Sequence, residues 1–336
     1  MSRQKIAIIP GDPSGIGPEL VAKLLHDDGV QQSADILLVG DAHLWQRGAA
    51  QAEMQLALRS IASDQLAEFS GCAHLDLQTI SPDDIKIAEV TKAGGTTALR
   101  CLDKAMDLAV DGLVDGILFA PFNKAAMTAA GLNAEDEHRY MARYLGHAGY
   151  HSEINVLDNL ITTRVTSHIG LKDVAANITE AGILRAIHLA EDTLKRAGNA
   201  RPSIAVAALN PHAGDHGKFG REEIDIITPA IEACQRQQMD VSGPWPSDTV
   251  FLKARRGEVD AVVTMYHDQG QIAIKLMGFE RGVTVAGGLP IPIATPAHGT
   301  AFDIAGQNKA NVSAIRQAFD LLLRMAKTHS DNKKSA

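Results

Sequence analysis

Short β-rich runs alternate with longer stretches of helical periodicity along most of the chain, and this alternation limits the fold more than any single motif does. Lys5–Ile9 is an apolar run closed by Pro10-Gly11-Asp12-Pro13, and Gly17–His26 follows with helical spacing. Asp35–Val39 is a second strand. Between Gly94 and Val110 the apolar residues Ala98, Leu102, Ala105, Leu108 and Ala109 recur at helical period, and strand Gly116–Ala120 comes next. Strand Ile204–Ala208, helix Arg221–Gln237, strand Ala261–Met265 and a closing helix near Val312–Ala326 continue the pattern. Strands separated by helices need crossover connections, so the sequence predicts an α/β protein with a parallel or mixed sheet. Aromatics at 4 % and 29 glycines favour close helix–sheet packing over an aromatic β-sandwich. The polar end, Thr328–Ala336, is expected to fray.

At 336 residues the chain is long for one domain and comfortable for two lobes. No Pro/Gly/Ser linker divides it, so the chain is expected to cross between lobes rather than run through them in series. A net charge of −8 disfavours nucleic acid and anionic membranes as partners. An anionic substrate then needs a local cluster of cations, amides or metal. Cys72, Cys101 and Cys234 are odd in number and unrelated in spacing, which suits reduced thiols in a cytoplasmic protein. Lys5–Ile9 is too short for a signal-peptide core, and no apolar stretch approaches the roughly 20 residues that span a bilayer.

Polar residues of chemical interest gather where strands end. Gly11-Asp12-Pro13-Ser14-Gly15-Ile16-Gly17-Pro18-Glu19 lies between a strand and a helix, where glycines let backbone amides approach an anion. It is not the dinucleotide fingerprint, because Leu20 stands where the third glycine belongs, and it lacks the Lys of a P-loop. A tight structural turn and a ligand loop are both open readings. His168, His212 and His267 each follow an apparent strand end, the edge that lines ligand crevices in α/β folds. Three imidazoles meeting there suit a divalent metal with positions left for substrate; singly, each reads as a surface histidine. Asp248 and Asp268 can orient such imidazoles or act as turn and cap residues. Lys275 and Lys124 read as solvated side chains or, near a metal, as proton carriers or anion anchors. His298-Gly299-Thr300-Ala301-Phe302-Asp303-Ile304-Ala305-Gly306 is either a turn into a helix or a loop that wraps adenosine, with Asp303 on the ribose hydroxyls.

Together, Gly11–Glu19, Ala120-Pro121-Phe122-Asn123-Lys124, Leu209-Asn210-Pro211-His212-Ala213-Gly214, Ser247-Asp248-Thr249-Val250-Phe251, Met265-Tyr266-His267-Asp268-Gln269-Gly270 and His298–Gly306 resemble the 4-hydroxythreonine-4-phosphate dehydrogenase family. The match runs in order from about Lys5 to Ala318. The last motif is also similar to the adenosine loop of isocitrate and isopropylmalate dehydrogenases. The resemblance implies a two-lobed α/β/α fold of that kind, with a cleft between lobes and no Rossmann fingerprint. It implies a discontinuous cofactor lobe of residues 1–135 with 285–336, and a lobe of 136–284 carrying metal, substrate and dimer contacts. NAD is the implied cofactor, held by Gly11, Asp12, Gly15, His298, Gly299, Thr300 and Asp303. His168, His212 and His267 match the family's metal ligands, contributed across a homodimer interface, and Lys275 matches a substrate-contacting lysine that would act with Asp248 and Asp268. Nitrogen ligands suit Zn, Co or Ni, while an oxygen-rich substrate suits Mg or Mn. Family members oxidise an alcohol β to a carboxylate, and the β-keto acid then loses carbon dioxide.

The substrate side departs from the family pattern. Asp136-Glu137-His138-Arg139 stands in place of Gly-His-Thr-Glu, Thr284 in place of Asn, and Ile293 in place of an Arg. Losing that Arg removes a bidentate anion clamp, for which His138 or Arg139 can substitute. Loss of the Arg favours a non-phosphorylated dihydrodiol, while what the second strand–helix half keeps of the phosphosugar-acid type implies a 4-phosphorylated hydroxy acid such as 4-phospho-threonate or 4-phospho-erythronate. The alternatives are a terephthalate-type cis-dihydrodiol, 4-hydroxythreonine 4-phosphate itself, and a non-catalytic sensor.

Overall fold

A computed structural model of the chain describes residues 3–335. It divides into two compact units, residues 1–149 with 283–336 and residues 150–282. The chain begins in the first unit with β1 (Gln4–Ile9), β2 (Ala34–Val39), β3 (Cys72–Leu75) and β4 (Gly116–Phe119). It enters the second with β5 (Ser152–Leu157), β6 (Leu160–Arg164), β7 (Ser203–Ala207), β8 (Asp240–Trp245) and β9 (Ala261–Thr264). Strands β10 (Val283–Gly287) and β11 (Ile293–Pro296) return it to the first.

In the first unit the strand order is β3-β2-β1-β4-β11-β10, parallel except for β10, which runs antiparallel to β11. Ile6, Ile8, Ile36, Leu37 and Leu38 are fully buried. Continuous burial of this kind belongs to parallel strands covered on both faces. Helix Lys92–Val110 lays Ala98, Leu102 and Ala105 into the core cluster with Leu37, Phe119 and Ile293. In the second unit the order is β5-β6-β9-β7-β8, where β5 and β6 form an antiparallel hairpin and the other pairings are parallel. Ala205, Ala207, Val262, Val250 and Ile274 form its core.

The predicted α/β class is thus observed, and the predicted strands and helices fall within one or two residues of their positions. Two expectations change. Arg221–Gln237 is not one regular helix: Glu223–Ile227 forms a π-helical turn that leads into an α-helix over Thr228–Arg236. The end of the chain does not fray from Thr328, since the closing helix runs over Ser313–Ser335. Ser330 Oγ donates to Asp115 Oδ1 (2.8 Å) and lies 3.2 Å from Gln4 Oε1, which docks that last stretch. Cys72, Cys101 and Cys234 are free thiols. Burial pushes Cys72 and Cys234 up to about 11 and Cys101 up as well, so none is a thiolate near neutral pH. No helix among the described residues is long and apolar enough to cross a membrane.

Candidate functional site

In the first unit, three motifs distant in sequence pack together at strand ends. Gly11, which follows β1, has φ +70°, and a Cβ there would lie 2.4 Å from the Ala120 carbonyl oxygen and 2.5 Å from that of Pro121. Only glycine satisfies both demands. The Asp12 amide donates to the Pro121 carbonyl at 3.0 Å. A Cβ on Gly15 would come within 2.8 Å of Thr300, whose carbonyl accepts from the Ile16 amide at 3.1 Å. The glycines at 11 and 15 are therefore explained by close packing of protein on protein. Glu19, fully buried, accepts from Lys23 (2.8 Å) and from the Ala310 amide (2.9 Å), pinning helix Gly17–Leu25 to the segment after the 298–306 loop.

Charge is concentrated at Asp12, only 1 % exposed. Its Oδ1 accepts from the Ser14 amide at 2.8 Å. Burial pushes its carboxyl above the ordinary range, against the opposing pull of Ser14 and Arg47. Burial also pushes the Arg47 guanidinium down to about 10, against the pull of Asp12. Across the loop, burial lowers the basicity of His298, opposed by its contact with the Gly299 carbonyl. Gly299 and Asp303 are exposed, and Ala301 takes a left-handed φ of 43°.

The substrate-side residues of this unit sit on helix Glu137–Tyr144 and on β10. Asp136 caps the helix by accepting from the Arg139 amide at 2.8 Å. Glu137 faces Lys124 Nζ at 3.6 Å, Arg139 pairs with Glu135, and His138 is buried. Thr284 is half-buried in β10. Ile293, where the resemblance leads one to expect an Arg, is fully buried and pairs with Ile117 across β11 and β4, so it belongs to the core.

In the second unit, two of the three predicted imidazoles meet. The rings of His168 and His267 lie 5.8 Å apart, centre to centre. They line a cavity of about 360 Å³ with Thr166, Ser167, Tyr266 and Asp268. The strand ends converge because the Val165 amide donates to Thr264 (2.9 Å) and the Thr166 amide to Met265 (3.1 Å), extending the β6–β9 pairing. His267 opens helix His267–Gly278, and its Nδ1 lies 2.7 Å from Asp268 Oδ1, the orienting role expected of that carboxylate. Gln269 bridges to the neighbouring strand, accepting from the Met265 amide (2.7 Å) and donating to the Ala208 carbonyl (2.8 Å).

His212 lies on a separate turn. From His212 to His216 every residue is left-handed, with φ between 42° and 81°. Only Gly214 among them adopts that region without strain. Buried Glu223 holds the entry to the turn, accepting from the amides of Leu209 (2.9 Å) and Asn210 (2.7 Å) and from Asn210 Nδ2 (2.9 Å). His168 is also left-handed, at φ 53°. Asp248 is exposed in the first turn of helix Ser247–Arg255. Lys275 is exposed two turns beyond His267, 6.0 Å from the centre of the Phe279 ring. Among the described residues no three His, Cys, Asp or Glu side chains of one chain are close enough to hold a metal ion. The donor chemistry of His168 and His267 nevertheless suits a divalent metal: two imidazoles, one backed by a carboxylate, at one cavity.

Sequence reasoning did not find Glu223, Gln269 or Arg47. A buried Glu or Arg has no local signature, since its value depends on which loop folds against it. Two mostly parallel sheet units whose polar and strained residues collect at strand ends define an α/β protein of the ligand-crevice class. The chain belongs to the PdxA family: the family model described as "Pyridoxal phosphate biosynthetic protein PdxA" matches residues 32–322. A Pseudomonas aeruginosa relative, provisionally named a second 4-hydroxythreonine-4-phosphate dehydrogenase, is 48 % identical over 97 % of this chain and 98 % of its own length. The D-threonate 4-phosphate dehydrogenase of Salmonella typhimurium is 38 % identical over 97 % of this chain and all of its own. The crystal structure of a 4-hydroxythreonine-4-phosphate dehydrogenase from Klebsiella pneumoniae shares 36 % identity. It superposes with a TM-score of 0.84, covering 97 % of this chain and 98 % of that one.

Proposed function

We propose that the chain is a metal-dependent, NAD-linked dehydrogenase of a small 4-phosphorylated 3-hydroxy acid, with 4-phospho-threonate and 4-phospho-erythronate as the leading substrates. The observation that carries this reading is the His168–His267 pair at one cavity, with Asp268 on the second imidazole. The names of the relatives support the substrate class. His168, His212 and His267 are the ligands in this reading. One chain brings two of them together, which supports a homodimer whose second copy completes the set.

A divalent metal bound there supplies Lewis-acid polarisation of the substrate's oxygen atoms. The chain's own groups do the rest. Asp268 accepts from His267 Nδ1 and fixes the ring, leaving Nε2 for ligation. Lys275 neutralises the substrate carboxylate or carries the hydroxyl proton away. Glu137, His138, Arg139 and Thr284 hold the distal end of the substrate, with the Arg139 guanidinium and the His138 imidazole standing in for the family's Arg. The Gly11–Gly15 turn and the His298–Asp303 loop would hold NAD, which would supply a hydride acceptor. In this reading the carbinol carbon would give up a hydride and the hydroxyl its proton, and the β-keto acid formed would lose carbon dioxide, the enolate left behind taking up a proton.

The test is NADH formation from 4-phospho-threonate, 4-phospho-erythronate, 4-hydroxythreonine 4-phosphate and a terephthalate cis-dihydrodiol, each with and without divalent metal. Turnover is expected with the first two. Preference for the dihydrodiol would overturn the phosphorylated-acid assignment, and NAD binding without turnover on any of them would mark a sensor. His212→Ala should abolish turnover and lower metal content while the far-UV spectrum stays native. Full activity in that variant without metal would refute the ligand set.

A further inference from the structure

Arg164 ends β6 and is 6 % exposed, a rare degree of burial for an arginine. All three of its guanidinium nitrogens are engaged. Nε donates to Ser167 Oγ at 3.0 Å, Nη1 to Asn155 Oδ1 at 3.0 Å, and Nη2 to Glu153 Oε2 at 2.7 Å. The Asn155 oxygen has a second donor, Gln271 Nε2, one turn beyond His267 on the same helix. One planar group therefore ties together the residue before His168, the β5 edge and the helix that carries His267.

The backbone alone does not fix these two histidines. Strand-like pairing of β6 with β9 ends at the bond from the Thr166 amide to Met265. Beyond it, Ser167 is half-buried, and His168 is exposed in a left-handed conformation that an unrestrained histidine leaves. The Arg164–Ser167 bond is the side-chain restraint next to that position. A lysine there could not make the same set of bonds, because its single ammonium lacks the fork geometry.

We propose that Arg164 is a positioning residue for the His168–His267 pair, setting the ring separation that a shared divalent metal requires. This rests on the metal reading given above. Arg164 touches neither metal nor substrate in this role; it acts through Ser167 and through Asn155 and Gln271.

The experiment uses the full chain with Co²⁺ alone as the probe, read by its visible absorption and by chelator competition. Amide hydrogen exchange over residues 165–169 is followed in parallel without metal. Arg164→Lys should weaken Co²⁺ about 10–100-fold, the usual cost of losing a partner behind a metal ligand. Ser167→Ala, which removes one arm and spares the buried charge, should weaken it by a factor toward the lower end. Both should speed exchange at residues 167–169, leave NAD affinity unchanged and alter the Co²⁺ spectrum. Should Arg164→Lys fail to fold, Ser167→Ala carries the test. Co²⁺ affinity within twofold of the parent with unchanged exchange would overturn the proposal, as would a parallel loss of NAD affinity, which marks general destabilisation. If the parent chain binds no Co²⁺, the metal reading fails; unchanged exchange in Ser167→Ala would then also dismiss Arg164 as the restraint on the turn.

Discussion

Ile293 stands where the family resemblance led to the expectation of an Arg, yet its side chain is fully buried in β11 among Ile117 and Phe119. Ile293→Arg should therefore not rebuild an anion clamp. It places an unpaired charge in the core and is expected to cost roughly 3–5 kcal/mol, measured by urea unfolding. A second residue-scale prediction concerns His298, which burial holds less basic than the ordinary 6.5. The neutral ring is the folded form, while the unfolded chain takes up a proton below about pH 6.5. Stability from this group is full above that pH and lost as pH falls through the lowered folded value. His298→Gln should flatten the decline in unfolding free energy as pH falls below about 6.5; an unchanged slope would assign that decline to other groups. Residue identity was legible in the sequence at both positions, but burial was not. An Ile in Pro-Ile-Pro-Ile-Ala has no mark that separates a core strand from a pocket wall.

Helix Glu137–Tyr144 is the element on which the substrate-side residues depend, and it is fastened by a pair of matched bonds. Tyr140 donates to Asp103 at 2.6 Å and Tyr144 to Asp107 at 2.9 Å, each helix using positions four apart. Burial raises the Asp103 carboxyl and the Tyr140 hydroxyl, so the first bond sits in the less solvated setting. Tyr140→Phe should cost about 1–3 kcal/mol by leaving Asp103 without its donor. Tyr144→Phe, where the tyrosine is 41 % exposed, should cost less than about 1 kcal/mol. Equal losses in urea unfolding would show that the two bonds share one environment. The periodicity of Gly94–Val110 exposed the helix to sequence reasoning, but not its partner. Nothing in that periodicity singles out Asp103 and Asp107, because i,i+4 spacing says where two side chains lie on one helix and nothing about what faces them. The π-helical turn at Glu223–Ile227 was not visible either; its buried first residue accepts from the amides of Leu209 and Asn210, which belong to another loop.

For the molecule as a whole, a divalent metal at one hundred times its dissociation constant should stabilise the fold by about 2.7 kcal/mol. The effect should rise with protein concentration if two chains complete the ligand set, and chelator should reverse it. Unfolding curves that ignore metal at every protein concentration would remove both the metal and the shared site. Strand ends carrying His168, His212 and His267 were visible from sequence, since short apolar runs followed by Gly, Asp and His punctuate the chain. Their pairing was not. The sequence by itself determined the α/β class, the order of the principal elements and the motifs that mark the family, because these depend on local periodicity and on residues near each other in the chain. Tertiary structure alone decided that His168 meets His267, that Gly15 presses on Thr300 and that Ile293 is core. Each of those contacts joins segments far apart in sequence, and only packing and strand register bring them within reach.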